Sequence, residues 1–167
     1  MGQEKEKQHA SPHRRILKLD VAIQLKHPQW KKLLRPYCKT TRAMCEAALA
    51  GGIPRKRNAS YEMAVVLADD AFIRELNRDY RGQDKPTNVL SFPGEDAYLG
   101  DLVLAYETVE REAREQGKSA KHHAIHLLVH GTLHLLGYDH MVVKEAVRME
   151  ALEIKILKKQ GIDNPYL

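Results

Sequence analysis

The amino-acid sequence predicts an α+β fold, in which a sheet of about four strands packs with about five helices. Three observations indicate this class. Some segments carry the apolar alternation or short apolar run of a strand, others carry apolar residues at helical spacing, and the two kinds follow one another without internal repeats. The chain has 167 residues, which is enough to bury a core without disulfide or metal staples. The pattern leaves the strand order open.

The first predicted element is a strand that has one buried face, because apolar residues alternate strictly along it: Leu17, Leu19, Val21, Ile23 and Leu25. A helix is predicted over residues 30–49. Pro36 should kink or split this helix, and the pair Gly51-Gly52 should end it. The second predicted strand covers residues 61–67.

Asp69 is a suitable N-cap for a helix that precedes a polar loop over residues 80–86. Two more strands are predicted after this loop, over residues 87–92 and 101–106. Three further helices complete the pattern, and each is followed by a glycine: residues 109–116, 120–136 and 144–159. The second of these three carries a broad apolar arc, so we expect it at the centre of the fold.

The composition excludes several classes of protein. Hydrophobic residues make up 43% and charged residues 29% of the chain, which is typical of a globular protein and not of a disordered one. The two cysteines, Cys38 and Cys45, are too few for a disulfide framework and are predicted to be small core residues. The sequence contains neither a secretory signal nor a membrane-spanning apolar run. We therefore expect a cytoplasmic protein.

The charge is distributed unevenly along the chain. The net charge is +5, yet residues 1–60 hold 14 Lys and Arg against 4 Asp and Glu, and the remainder is acidic. Residues 1–14 are expected to form a disordered basic tail, and residues 15–167 a single domain. A basic half is typical of proteins that bind nucleic acid, but it also fits a solvated surface with a basic tail. Charge alone leaves both interpretations open.

Histidines are crowded in one segment, since six of the nine lie between His122 and His140. His130 and His134 are four residues apart on the predicted central helix, so both imidazoles lie on one face and can reach one ion. Gly137 can end the helix in the left-handed conformation and turn the chain back, which brings His140 to the same ion. Three imidazole ligands leave a fourth position for water, as is typical of a catalytic metal site.

The neighbouring histidines leave alternatives. His126, His130 and His134 form one stripe along the helix, so His126 and His130 could instead be the metal pair. The glycine turn favours the downstream pair, and His126 then lies beside the site or in the core. His122 and His123, near the start of the helix, are expected to be exposed or to contact an anion.

The spacing of His130, His134 and His140 matches the metzincin peptidase pattern H-E-x-x-H-x-x-G-x-x-H, with one departure. Gly131 stands where the peptidases have the glutamate that serves as general base. Without this carboxylate, the usual activation of water for peptide hydrolysis is missing. The pattern therefore predicts a hydrolytic metal site but argues against an ordinary peptidase.

Two longer motifs resemble those of one known family. Residues 130–140 resemble H-G-x-L-H-L-x-G-Y-D-H, the histidine motif of the YbeY endoribonucleases, which are also called rRNA maturation factors. Residues 81–93 resemble the family's second signature, R-G-x-D-x-P-T-N-V-L-S-F-P, and residues 100–103 resemble its G-D-I-V/I segment. The resemblance runs from Val21 to the end of the chain, and neither main motif departs from the family pattern.

The resemblance implies a zincin-like domain with one zinc ion per chain. It implies cleavage of single-stranded RNA, a role in maturation of the 16S rRNA 3′ end, and ribosome quality control. The implied partners are single-stranded RNA and the rRNA of the small ribosomal subunit, with ribosomal proteins or assembly GTPases as further candidates; neither a membrane nor DNA is expected. Carried over by position, His130, His134 and His140 are the zinc ligands and Arg81 is the functional arginine. Nickel and copper also bind imidazole, so the residue types alone do not select zinc.

The second motif supplies candidate contacts to RNA. The Arg81 guanidinium is a planar cationic fork suited to phosphate oxygens, so it could hold the scissile phosphate. Lys85 is a second candidate for a phosphate contact. Asn88 and Ser91 could either contact a nucleotide or serve the structure of the turn and strand. Asp139 is likewise open between orienting a metal ligand and capping the turn.

The chemistry and the wider function have alternatives as well. Either a water or the ribose 2′-hydroxyl could attack the phosphate, and the motif contains no evident general base. A non-catalytic RNA- and ribosome-binding assembly factor with a structural zinc is one alternative function. A metzincin-like metallopeptidase is the other.

Overall fold

A four-stranded mixed sheet organises the fold, and a computed structural model describes it over residues 17–52 and 59–167. The elements of the described residues are, in chain order, β1 (Lys18–Leu25), α1 (Gln29–Leu33), α2 (Tyr37–Gly51), β2 (Ser60–Ala68), α3 (Asp70–Arg81), β3 (Val89–Pro93), β4 (Tyr98–Ala105), α4 (Tyr106–Glu115), α5 (Ala120–Leu135) and α6 (Val143–Lys159). The predicted α+β class is confirmed. The tail predicted over residues 1–14 lies outside the described residues.

The strands lie in the order β1-β2-β4-β3, which the sequence pattern leaves open. β1, β2 and β4 are parallel, whereas β3 pairs antiparallel with β4 at the edge of the sheet. Each parallel pair needs a crossover connection, and helices α1 and α2 lie in the first crossover and α3 in the second. β3 and β4 are instead joined by a short turn as a hairpin.

Most predicted elements are confirmed. Side chains of β1 alternate between inward and exposed positions, as the apolar alternation predicts. Asp69 caps α3, because its Oδ1 accepts a hydrogen bond from the backbone N–H of Phe72 at 2.8 Å. Pro36 splits the helix predicted over residues 30–49 into α1 and α2, so the described residues contain six helices rather than about five.

Some predicted boundaries are wrong. Arg81, expected in the polar loop, lies in the last turn of α3, which Gly82 ends with a φ of 67°. β3 begins at Val89, two residues later than expected. β4 begins three residues earlier than expected, because its first residue already pairs with Glu62 of β2. It also ends one residue earlier than expected, at Ala105. Such a pairing joins distant parts of the chain and leaves no local signal.

Helix α5 lies at the centre of the fold, as its apolar arc predicts, and packs against α2, α4, α6, β3 and β4. Its apolar side chains share a core cluster with the sheet and α2, whose large buried members include Trp30, Leu49, Met63, Leu67, Leu102, Leu104, Leu128 and Leu133. Burial of each such side chain stabilises the fold by about 1.5–3 kcal/mol. This packing holds α5 in place and leaves His130 and His134 half-buried at one edge.

A smaller cluster covers the opposite face of the sheet. Successive residues of a strand face opposite sides, and in β4 Leu102 belongs to the main cluster whereas Val103 belongs to the smaller one. Ile73 of α3 packs in the same small cluster. This contact fixes α3, and with it the position of Arg81 at the end of the helix.

The two cysteines differ in burial. Cys45 is fully buried, as predicted, while Cys38 is half-buried. Burial raises the pKa of the Cys45 thiol to about 12. Across residues 17–52 and 59–167, the structure contains no helix with the length and apolar character needed to cross a membrane.

Candidate metal centre and cleft

Three imidazoles meet where α5 ends. The Nε2 atoms of His130 and His134 lie 3.1 Å apart, and the ring of His140 has its centre 4.9 Å from that of His134. One ring nitrogen from each of the three residues lies within 4.8 Å of the others. Two nitrogens bound tetrahedrally to one ion at about 2.0–2.1 Å would be about 3.4 Å apart. The triad can therefore hold one metal ion.

Hydrogen bonds at the Nδ1 atoms of His130 and His134 also indicate that the triad can hold a metal ion. Nδ1 of His130 lies 2.6 Å from Oε1 of Glu153, and Nδ1 of His134 lies 2.8 Å from the backbone oxygen of Tyr138. A carbonyl and an ionised carboxylate only accept hydrogen bonds, so each Nδ1 carries a proton, and in the neutral imidazole each Nε2 then has a lone pair. Two lone pairs 3.1 Å apart cannot hydrogen-bond to each other, whereas a cation satisfies both.

The ionisation states of these groups suit metal binding. Burial lowers the pKa of His134 below its usual value of 6.5, and the neighbouring His130 lowers it further. Burial alone would raise the pKa of Glu153, but hydrogen bonds from His126 and His130 outweigh this effect and lower the pKa to about 2. At neutral pH the site therefore combines a neutral His134 imidazole with an ionised carboxylate behind His130.

The turn after α5 has the predicted geometry. Gly137 adopts a φ of 96°, and the backbone N–H of Tyr138 donates to the Leu133 carbonyl at 3.1 Å, which closes the end of the helix. The chain then turns back and places His140 beside the other two rings. Oδ1 of Asp139 accepts a hydrogen bond from the backbone N–H of His140 at 2.6 Å. Of the two roles considered for Asp139, orienting a metal ligand or capping the turn, this contact corresponds to capping the turn.

Close packing against β4 explains why position 131 is a glycine. The residue is buried, and a Cβ built on it would lie 2.1 Å from Cδ1 of Leu102 on β4. A side chain at this position would therefore require the Leu102 side chain to move. A glutamate in the position used by metzincin peptidases would displace Leu102, and the glycine found here supplies no general base.

A cavity of about 590 Å³ joins the two sequence motifs. The histidine triad forms part of its wall, and further lining residues include Arg81, Asn88, Ser91 and Asp139. Edge strand β3 runs beside α5 and brings residues 88–91 to the triad. The Ser91 hydroxyl contacts the Gly131 carbonyl at 3.4 Å. Residues some fifty positions apart in the chain thus share one cleft, as the predicted site requires.

The cations of the second motif differ in their surroundings. Arg78 and Arg74, one and two turns earlier on α3, form ion pairs with Asp79 and Asp84 respectively. Arg81 forms no ion pair within residues 17–52 and 59–167, so its guanidinium is available in the cleft. Lys85 is exposed and does not line the cavity.

Two polar residues near the cleft are tied to the scaffold. The Asn88 amide donates to Oε2 of Glu112 on α4 at 2.9 Å, and the same oxygen lies 2.8 Å from Nε2 of His123. His123 is 7% exposed, so the expectation of an exposed residue is wrong; its partner is a carboxylate inside the protein. His122 is exposed, as expected. The reason for the difference is the packing of α4 against α5, which the sequence pattern does not show.

Sequence reasoning misses two residues of the site, Glu153 and Tyr166. Glu153 is fully buried and contacts both His126 and His130. A signal for it was present: Glu153 lies four residues after Met149 and three before Ile156, on the apolar face of α6. An acidic residue on a buried helix face needs a partner. Tyr166 has no comparable signal in the sequence.

Fold and site together define an α+β protein with a candidate three-histidine metal site. A family model described as Endoribonuclease YbeY matches residues 23–161. The chain belongs to this YbeY endoribonuclease family. The family resemblance and the expected class, an enzyme that hydrolyses RNA, are thereby confirmed.

Individual relatives agree with the family match. The chain is 45% identical over 161 residues to "Endoribonuclease YbeY" of Paramagnetospirillum magneticum, an alignment that covers 89% of this chain and 96% of the relative. It is 44% identical to the protein of the same description from Rhizobium etli, with 90% and 95% covered. The solution structure of TM1509 from Thermotoga maritima shares the fold, with a TM-score of 0.54, 24% identity, and coverage of 84% of this chain and 91% of that one.

Proposed function

We propose that this protein is a zinc-dependent endoribonuclease that cleaves single-stranded RNA in maturation of the 16S rRNA 3′ end and in ribosome quality control. The observation that carries the proposal is the shared cleft, in which Arg81 and the histidine triad line one cavity. The activity is assigned to residues 15–167 as one domain. Its substrate is rRNA of the small subunit, with ribosomal proteins or assembly GTPases as partners, and this substrate implies action in the cytoplasm.

His130, His134 and His140 are the proposed zinc ligands. Three neutral imidazoles are a common donor set of catalytic zinc and leave a position open toward the cleft. When bound there, zinc would supply a Lewis acid for a phosphoryl oxygen and for the attacking oxygen. The second histidine cluster, His126 with His130 and Glu153, is less suited, because Glu153 is fully buried behind the cleft.

The remaining roles fall to residues of the second motif. The Arg81 guanidinium binds oxygens of the scissile phosphate and offsets charge that develops in the transition state. Asn88 and Ser91 line the wall where nucleotides would lie, and Glu112 fixes the orientation of the Asn88 amide. Lys85 lies outside the cavity, so its proposed phosphate contact is with RNA that extends beyond the cleft.

The proposal is tested with two variants that remain folded. His134→Ala should lose both the metal and the cleavage of single-stranded RNA. Arg81→Ala should retain the metal, and its cleavage rate should fall about 10²–10³-fold, the usual effect of removing one transition-state donor. Arg78→Ala is the matched control, because Arg78 lies on the same helix but outside the cavity. Unchanged rRNA cleavage in both site variants would contradict an enzymatic role and favour a binding factor.

The nucleophile can be identified from the products. Attack by the ribose 2′-hydroxyl leaves a cyclic phosphate and requires RNA at the cleaved position, whereas attack by water does not. A substrate with a single 2′-deoxy nucleotide at that position distinguishes the two routes. Equal cleavage of this substrate excludes the 2′-hydroxyl route.

A further inference from the structure

We propose that Glu153 is a positioning residue for the metal ligand His130, and that Tyr166 and His126 hold Glu153 in place. This inference rests on the proposed metal site. Glu153 lies on α6, far from both sequence motifs, and its side chain has no exposed surface. It touches neither the cleft nor any position where substrate would lie, so its effect on the site acts through His130.

Both carboxylate oxygens of Glu153 are used. Oε1 lies 2.6 Å from Nδ1 of His130, and Oε2 lies 2.7 Å from Nε2 of His126. The Tyr166 hydroxyl donates a further hydrogen bond to Oε2. A buried carboxylate is costly unless its oxygens are satisfied, and three partners meet this requirement here.

The contact between Glu153 and His130 orients the His130 imidazole for metal binding. By accepting a hydrogen bond from the Nδ1–H of His130, Glu153 fixes the tautomer in which Nε2 has a lone pair, and it fixes the rotation of the ring. His134 obtains the same effect from a backbone carbonyl, at 2.8 Å from Nδ1. Of these two ligands, His130 therefore depends on a side chain, and a side-chain substitution can test the dependence.

Tyr166 connects this carboxylate to the segment after α6. Its ring packs edge-on against His126, with ring centres 5.5 Å apart. The segment itself is tied down: the Tyr166 backbone N–H donates to Oδ1 of Asn164 at 2.9 Å, and the Lys118 ammonium donates to the Pro165 carbonyl. The tyrosine hydroxyl is thus held on Glu153 by contacts made outside the metal site.

Metal affinity measures the effect without relying on activity. Metal-free protein is titrated with Zn²⁺ in competition with a chelating dye. Glu153→Gln keeps the shape but cannot accept three hydrogen bonds, so Zn²⁺ should bind about 10–100-fold more weakly. Tyr166→Phe removes one of the three donors and should weaken binding by about 2–10-fold. Nitrogen NMR of the His130 ring should show a mixture of tautomers in Glu153→Gln.

Two control variants match these substitutions. Tyr98→Phe removes another tyrosine–carboxylate hydrogen bond, of 2.5 Å to Asp101, outside the cleft. Glu150→Gln removes an exposed carboxylate from the same helix. Both should bind Zn²⁺ as tightly as the wild type.

Wild-type Zn²⁺ affinity and an unchanged His130 tautomer in folded Glu153→Gln would overturn this inference. If Glu153→Gln does not fold, Tyr166→Phe provides the test. Wild-type Zn²⁺ affinity in Tyr166→Phe overturns the role of the tyrosine. An unchanged His130 tautomer in Tyr166→Phe overturns the positioning of the His130 ring. A different result would point to the proposed function instead: if His134→Ala binds Zn²⁺ as tightly as the wild type, the three-histidine site itself is wrong.

A second observation is a groove beside α1 and α2, with a volume of about 700 Å³. Four cations line it, Lys31, Arg35, Lys39 and Arg42, against the single acid Glu46. None of the four forms an ion pair within residues 17–52 and 59–167, unlike Arg74 and Arg78 on α3. Pro36 and the half-buried Tyr37 add a flat apolar surface.

We infer that this groove binds the sugar-phosphate backbone of the single-stranded RNA that the proposed function requires. Unpaired cations around a groove with an aromatic residue are the usual features of such binding. The groove lies near the start of α5, where the Lys121 ammonium contacts the Arg35 carbonyl at 3.4 Å. The histidine triad lies at the other end of that helix, about 20 Å away by helical rise. Only RNA long enough to span this distance can occupy both places.

RNA length and charge reversal test the groove. Lys39→Glu combined with Arg42→Glu should weaken binding of single-stranded RNA of about 16 nucleotides, and it should reduce the slope of log K against log salt by about 1–2. Binding and cleavage of RNA of about 4 nucleotides should remain at the wild-type level, because such RNA fills only the cleft. The matched control is Lys158→Glu with Lys159→Glu, an equal charge change at the exposed end of α6.

Unchanged binding of the longer RNA, or an equal loss in the control pair, would overturn the groove as an RNA surface. If the wild type cleaves neither RNA, the proposed function has failed, and RNA binding still decides whether the groove is used.

Discussion

At the scale of single residues, Gly131 separates this protein from the peptidases whose histidine spacing it shares. The sequence shows only that the glutamate is absent. The structure adds that α5 and β4 approach each other so closely that a Cβ at this position would lie 2.1 Å from Cδ1 of Leu102. The chemistry at the site must therefore proceed without a carboxylate at this position.

Gly131→Ala should lower the free energy of unfolding by about 1–3 kcal/mol, because the added methyl group overpacks the contact with Leu102. Urea denaturation measures the change. Combining it with Leu102→Ala makes room for the methyl group, so the double variant should be less destabilised than the sum of the single variants. Strict additivity would show that the two residues do not compete for the same space.

The buried carboxylate of Glu153 should make the free energy of unfolding depend on pH in the acidic range. Its pKa is about 2 in the folded protein, against a usual value of 4.5, so in this interval the unfolded chain binds a proton that the folded protein does not. The stability of the metal-free protein should therefore fall as the pH is lowered from 4.5 toward 2. Glu153→Gln should lose this part of the dependence in urea denaturation at several pH values.

The exposed Glu150, on the same helix, provides the control for this acid dependence. Glu150→Gln should keep the wild-type pH profile, because an exposed carboxylate stays solvated in both states. An identical profile in all three proteins would mean that the pKa of Glu153 is the same in the folded and unfolded states, which would contradict the lowered value.

At the scale of elements, the turn after α5 decides whether three histidines can meet. Two ligands four residues apart follow from the helix itself, but the third requires the chain to reverse. Gly137 does this with a φ of 96°, a conformation that side chains rarely adopt.

Gly137→Ala should cost about 1–2 kcal/mol in stability and should also weaken Zn²⁺ binding, because the strained turn displaces His140. Gly117→Ala is a useful comparison: Gly117 ends α4 with a φ of 63° and has nothing within 4 Å of an added Cβ, as is also true of Gly137. It should lose stability without a change in Zn²⁺ affinity. Equal Zn²⁺ affinity in both variants would contradict the role assigned to the turn.

Elements whose signal is local can be predicted from the sequence. The alternation of β1, the split at Pro36 and the cap at Asp69 each arise within a few residues, and each is found as expected. The start of β4 and the burial of His123 arise from pairing with β2 and packing against α4. Those partners are distant in the chain, so no local period reveals them.

At the scale of the whole molecule, a metal in the triad would tie α5 to the segment that follows it and would add to the stability of the fold. A ligand at about 1,000 times its Kd contributes about 4 kcal/mol, which for a domain of this size raises the Tm by roughly 8–16 °C. A chelator should therefore lower the Tm of the zinc-loaded protein by about this amount, measured by calorimetry. His140→Ala should have a low Tm that the chelator does not change. A wild-type Tm that is insensitive to the chelator would argue against bound metal.

The sequence by itself determines the α+β class, most helices and strands, the histidine triad and the family. These features depend on residues close together in the chain, where helical and strand periods and the reach of a single turn set the geometry. Only the tertiary structure decides the strand order, the cleft shared by Arg81 and the triad, and the placement of Glu153 and Tyr166 behind His130. The physical reason is that these contacts join segments distant in sequence, and only packing of α3, β3 and α6 around α5 brings such segments together.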